Sequence, residues 1–241
     1  MYKNKKIISI IPARGGSKRL PKKNILDLAG KPVIAYSIEQ SLNSDLVDRT
    51  IVSTEDNEIA EISRKYGAEF IDRPENLSTD KATTLSVLKH VIETLKNQKY
   101  NPDVVILLQP TSPLRKTEQI DESIKKLIDN DANAVISVIE LHVGYEWLLG
   151  IKDERLHFIF EKERKNTRYQ DQEKAYELNG AIYTYKTEII EESRIYNFHE
   201  NCIALPMDKI TSMQIDDNTD FKIIESIIKN VISKDKEEVE K

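Results

Sequence analysis

A chain of 241 residues has room for one substantial domain with its own hydrophobic core, or one domain with a modest appendage. Its net charge of −5 argues against a general nucleic-acid binder, which carries a basic surplus. The single cysteine, Cys202, excludes an intrachain disulfide and a Cys-based zinc site, and the four histidines are far apart with no metal-ligand spacing.

The start, Met1 to Lys6, is polar and basic and runs straight into a strand, without the apolar core of a signal peptide. No apolar run approaches the roughly 18 residues of a membrane span, so a soluble cytoplasmic protein is expected. Ile7 to Ile11 is a continuous β-branched run, as in a strand buried on both faces. Pro32 is placed to open a helix that carries Val33, Ile34, Ile38 and Leu42 on one face. Arg49 to Ser53 reads as a strand. Asp56 then caps a helix with Ile59, Ile62 and Tyr66, closed by Gly67.

Ala68 to Ile71 is a short strand, Asp80 to about Lys96 a helix, and Val104 to Leu108 a strand bounded by Pro102 and Pro110. Thr117 to Asp129 is helical, Ala134 to Ile139 a strand, Asn179 to Tyr185 another strand, and Phe221 to Ile232 an amphipathic helix. This alternation predicts an α/β fold with a doubly wound, mostly parallel sheet, whose functional residues lie in loops at the carboxyl ends of strands. Residues 1–233 are expected to form a single domain. The stretch 140–176 breaks the pattern, being charged, without clear period and home to Trp147; residues 234–241 are almost all charged and read as a frayed tail.

Directly after the first strand comes Ile11-Pro12-Ala13-Arg14-Gly15-Gly16-Ser17-Lys18-Arg19-Leu20-Pro21-Lys22-Lys23-Asn24. Two adjacent glycines allow close backbone approach to phosphate oxygens, and five cationic side chains between Arg14 and Lys23 suit a triphosphate. The spacing is neither that of a P-loop nor that of a dinucleotide fingerprint. Residue chemistry alone leaves two readings open: a phosphate loop, or a solvated basic turn hinged at Gly15-Gly16.

This segment resembles the first signature of the acylneuraminate cytidylyltransferases, the CMP-sialic acid synthetases. Four further stretches in the same order are similar to that family: Asp72 to Thr84, Gln109 to Arg115, Arg168 to Tyr183, and Met207 to Phe221. The resemblance implies a Rossmann-like nucleotidyltransferase that moves CMP from CTP to the anomeric hydroxyl of a nine-carbon sugar acid. It implies that Arg14, Gly15, Gly16, Ser17 and Lys23 hold the triphosphate, with Asn24 close to the nucleotide and Lys23 stabilising the charge that grows in the reaction. Arg73 and Thr84 would meet the cytosine; otherwise Arg73 is a surface partner of Glu75.

Gln109, Arg168 and Tyr183 would contact the sugar acid, Arg168 through its carboxylate-matching fork. The alternatives are a solvated Arg168 and a plain core tyrosine at 183. Magnesium ligation is implied for Asp216, with Gln214 standing where the family has a first aspartate; as plain sequence, Asp216, Asp217 and Asp220 could equally cap a helix. The resemblance further implies a homodimer, with 140–176 as the dimerisation insertion. Another nonulosonic acid (legionaminic or pseudaminic), or a 3-deoxy-octulosonic acid, is the competing sugar. A non-catalytic binding protein on the same fold is the competing class, against which the intact Arg14, Lys23 and Asp216 argue.

Overall fold

A computed structural model describes residues 2–17, 19–144, 147–159 and 173–232. Side chains two apart in a strand share a face, and this sets the layers. In β1 (Ile7–Pro12), Ile7 and Ile11 pack on one side of the sheet and Ile8 and Ile10 on the other. In β6 (Val104–Leu108), Val104, Ile106 and Leu108 join the first side and Val105 and Leu107 the second. Helices α1 (Val33–Leu42), α2 (Asn57–Lys65) and α4 (Thr117–Asp129) cover the first face through Ile34, Ile38, Ile59, Ile120 and Ile124. Helices α3 (Thr84–Asn97) and α5 (Thr187–Glu191) cover the second through Leu88, Val91, Leu95, Ile189 and Ile190.

The seven-stranded sheet is completed by β4 (Arg49–Thr54), β5 (Glu69–Asp72), β7 (Ala134–Glu140), β10 (Tyr176–Lys186) and β11 (Cys202–Pro206), in the spatial order β11-β7-β10-β6-β1-β4-β5. Only β10 runs against its neighbours β6 and β7; the other pairs are parallel. The fold is the expected α/β arrangement, a mostly parallel sheet with helices on both faces. Two small hairpins stand outside the sheet: β2 (Asp27–Leu28) with β3 (Lys31–Pro32), and β8 (Leu149–Lys152) with β9 (Arg155–Phe158). Among the described residues, no helix is long and apolar enough to cross a membrane.

The differences from the sequence reading have local causes. The helix expected from Asp80 begins at Thr84, because extended Thr83 accepts the Ser86 N–H at 3.1 Å and leaves 79–83 as a turn. Pro32 is the cap rather than the first helical residue. The final helix, α6 (Asn218–Ile227), begins at Asn218, three residues early, since Asp217 caps it and accepts the Thr219 and Asp220 N–H groups. A third cluster of Leu28, Val33, Leu114, Ile215 and Ile224 fastens α6 to the body and so fixes the position of Asp216.

Candidate active site

The chain leaves β1 into the basic loop under several restraints. Ala13 N–H donates to Ser53 O at 3.0 Å, and the Asn24 amide donates to Arg14 O at 3.0 Å. Gly15 N–H donates to Glu55 Oε1 at 2.8 Å. A Cβ on Gly15 would lie 2.3 Å from Asp56 Oδ2, so any side chain there would have to displace the carboxylate that caps α2. Gly16 faces open space by the same test.

A cavity of about 560 Å³ opens beside this loop at the carboxyl ends of β1 and β6. Arg14, Ser17, Lys23 and Asn24 line it from the loop; Arg73 after β5, Thr84 at the start of α3, Gln109 after β6 and Asp216 before α6 complete the wall. Eight of the residues singled out in the sequence therefore meet in one place, although they come from five segments of chain. Such a position is where open α/β sheets bind ligands.

Each cation has a defined setting. Arg14 pairs with Asp80 at 2.7 Å across the cavity. Lys23 Nζ donates to Ile215 O at 2.8 Å and lies 4.0 Å from Asp216 Oδ1. Burial pushes the Lys23 ammonium below its ordinary pKa, with Asp216 opposing and Arg19 adding to the shift. Arg73 is buried, and its Nε donates to Ser53 Oγ at 3.1 Å while Nη2 donates to Ser53 O. A surface pairing with Glu75 is thereby replaced by a fixed, inward cation whose pKa burial lowers and the Glu55 charge lifts back.

The three aspartates near α6 divide by role. Asp217 accepts the Thr219 and Asp220 N–H groups, and Asp220 accepts those of Asp216 and Asp217, so both serve the helix start. Asp216 alone of the three lines the cavity, its carboxylate largely exposed. A single carboxylate facing a triphosphate-sized space fits magnesium, which commonly takes one or two carboxylates plus phosphate oxygens and waters. Among the described residues no group of three His, Cys, Asp or Glu could hold a metal unaided.

Other expected residues are not on the cavity wall. Tyr183 sits on β10 beside Leu107, which does line the cavity, and packs half-buried against the second core cluster. Gln214 donates its amide to Asn179 O beside Gly180, a position that turns it toward β10. Gly15 and Gly16 shape the loop without lining the cavity. Arg168 lies outside the described residues.

Three residues went unassigned in the sequence reading. Asp80 falls in the Asp72 to Thr84 stretch and at the expected start of a helix, without a role of its own. Arg115 is fully buried with no carboxylate partner among the described residues; it donates to Ala181 O at 2.6 Å and Ser37 Oγ at 2.7 Å, and burial lowers its pKa to about 9. An arginine directly after Pro113-Leu114, close to the apolar strand β6, was the available signal. Glu55, at the end of β4, carried none.

A mostly parallel sheet with a cation-walled cavity at its carboxyl edge defines a nucleotidyltransferase of the Rossmann-like class. Residues 8–239 match the family model described as cytidylyltransferase, and the chain belongs to that family. It is 35% identical over 219 residues to pseudaminic acid cytidylyltransferase of Campylobacter jejuni subsp. jejuni serotype O:2, covering 90% of this chain and 94% of that protein. It is also 35% identical over 223 residues to N-acylneuraminate cytidylyltransferase of Escherichia coli O18:K1:H7, covering 90% of this chain and 51% of the relative. Among solved structures, CMP:2-keto-3-deoxy-manno-octonic acid synthetase complexed with CTP superposes with a TM-score of 0.71 at 18% identity, covering 93% of this chain and 98% of that one, a likeness of fold.

Proposed function

We propose that the protein transfers CMP from CTP to the anomeric hydroxyl of a nonulosonic acid, with N-acylneuraminate as the sugar. The observation that carries this reading is the meeting of Arg14, Lys23, Arg73 and Asp216 on one cavity wall. The sugar oxygen would attack the α-phosphorus; a new P–O bond forms, the bond to the bridging oxygen breaks, and pyrophosphate leaves with its electron pair. The hydroxyl proton passes to solvent. No covalent intermediate is required, and catalysis would rest on positioning and charge stabilisation.

Arg14 and Ser17 would hold the triphosphate, with Gly15 and Gly16 giving their loop its shape. Asn24 would fix the loop through the Arg14 carbonyl. Lys23 would stabilise charge at the α-phosphate, and Arg73 with Thr84 would meet the base. Gln109 faces the sugar end of the cavity in this reading, Tyr183 backs that wall, and Arg168 would pair with the sugar carboxylate. Magnesium would be held by Asp216 and phosphate oxygens, where it supplies neutralisation of the triphosphate charge. Gln214, whose amide nitrogen is bonded to Asn179 O, would have only its amide oxygen to offer.

The active unit is proposed to be a cytoplasmic homodimer joined through 140–176, on a nucleotidyltransferase domain spanning 1–233. Support comes from apolar side chains exposed on and beside the β8–β9 hairpin. Pseudaminic acid is the second reading of the sugar, favoured by the match over 94% of that relative's length.

The test is pyrophosphate release from CTP, UTP or ATP with N-acetylneuraminic, pseudaminic, legionaminic and 3-deoxy-octulosonic acids, with magnesium and with a chelator. CTP with a nonulosonic acid should turn over and the chelated reaction should stop. Equal turnover of UTP and CTP would overturn the base assignment, because a site built to pair one base's edge rejects another. Turnover confined to pseudaminic acid would select the second reading.

A further inference from the structure

The basic loop is held by carboxylates from neighbouring elements, but they hold it differently. Asp80 pairs with Arg14, and Glu58 with Lys22, as contacts between partly exposed side chains. Such contacts are weak in water. Glu55 differs from both. It follows β4 directly, and its Oε1 accepts the backbone N–H of Gly15 at 2.8 Å. Its Oε2 is buried with no hydrogen-bond donor among the described residues. A half-satisfied carboxylate is a poor choice for stability alone, since a neutral acceptor would serve the Gly15 N–H with less desolvation.

Charge at this point does have a recipient. Burial pulls the Arg73 pKa down, and the Glu55 carboxylate is the charge that opposes that pull. Glu55 thus touches the loop that carries Arg14 and Ser17 and acts by its field on Arg73, which is hydrogen-bonded to Ser53 and Thr54 just before Glu55 in the chain. A side chain at Gly15 would have to displace the neighbouring Asp56 carboxylate. The crossing of loop and β4 end is therefore tightly defined.

We propose that Glu55 is a positioning residue for the nucleotide, holding the Arg14–Ser17 turn and Arg73 in register with one another without touching the reacting atoms. The inference rests on the reading of the cavity as the CTP site. Three proteins test it: the parent, Glu55→Ala and Glu55→Gln. CTP affinity is measured by titration calorimetry without sugar, KM for each substrate by pyrophosphate release, and thermal stability alongside. Glu55→Ala should weaken CTP binding about tenfold, the scale of one charge-assisted hydrogen bond. The sugar KM should stay within about twofold of the parent's.

Glu55→Gln restores the acceptor for Gly15 but not the charge beside Arg73, so its CTP affinity should fall between the other two. A merely structural role would lower thermal stability and leave these constants alone, or would raise both KM values together; either result overturns the proposal. So does a glutamine variant as weak as the alanine one. If the parent itself binds no CTP, the functional reading fails and this inference with it. If the parent binds CTP and Glu55→Ala binds it equally well, only this inference fails.

Discussion

Lys23 combines three properties that seldom meet in a surface lysine. It is mostly buried, its ammonium is anchored on Ile215 O at 2.8 Å, and it faces a cavity that also holds Arg14 and Arg73. An anchored charge costs no reorganisation when negative charge develops, so its effect should fall on the chemical step. Lys23→Ala is expected to lower kcat by on the order of 10²–10³, about 3–4 kcal/mol, while Arg14 and Ser17 keep CTP bound. Steady-state kinetics against CTP check this; an effect confined to KM would make Lys23 a binding group only. The site was largely legible at this scale because a phosphate site needs cations and tight turns close together in sequence, and Arg14 to Asn24 supplies both. Roles set by burial were not legible. Arg115 and Arg73 look alike as letters, yet one is sealed under the Gln109 loop and the other lines the cavity.

Between elements, the edge pair β4–β5 carries a bidentate contact in which Arg49 donates to Glu69 at 2.7 and 2.6 Å. That contact holds the Glu69 carboxyl below its ordinary value of 4.5. A lowered folded pKa means stabilisation is present in full above the unfolded value and is lost as pH falls through the folded one. Glu69 is half-exposed, so solvent discounts the pair to about 1 kcal/mol or less. Glu69→Gln should therefore cost about that much at neutral pH and almost nothing near pH 3, measured by urea denaturation. An equal difference at both pH values would show that packing over Tyr100, not charge, is what the substitution disturbs. The elements most easily read were those buried on both faces, where period and apolar runs agree, as in β1 and β6. Strand direction is not encoded in period, which is why β10 carried no sign of being antiparallel. β11, ending in proline at the sheet edge, and the five-residue α5 were too short or too mixed in character to show a repeat.

For the whole molecule, the question is what covers the β8–β9 hairpin. Ile151 is 75% exposed, Leu156 68% and Trp147 58%, and Leu178 at the outer half of β10 is exposed as well. Apolar side chains grouped like this are costly to leave in water and mark interaction sites. A second copy is the occupant proposed above, and two such lobes could bury the roughly 1,600 Å² of an ordinary specific interface. Ile151→Asp combined with Leu156→Asp places two charges on that surface without touching the core clusters. Sedimentation should show the parent at twice the mass of this variant. CTP binding should survive in the variant, because neither Ile151 nor Leu156 lines the cavity. Sugar turnover should fall much further, since the insertion proposed to join the two copies also carries Arg168, proposed above as the partner of the sugar carboxylate. A parent that sediments as a monomer at working concentration would end the dimer reading. A monomeric variant with full sugar turnover would leave the dimer intact as an assembly and remove it from catalysis.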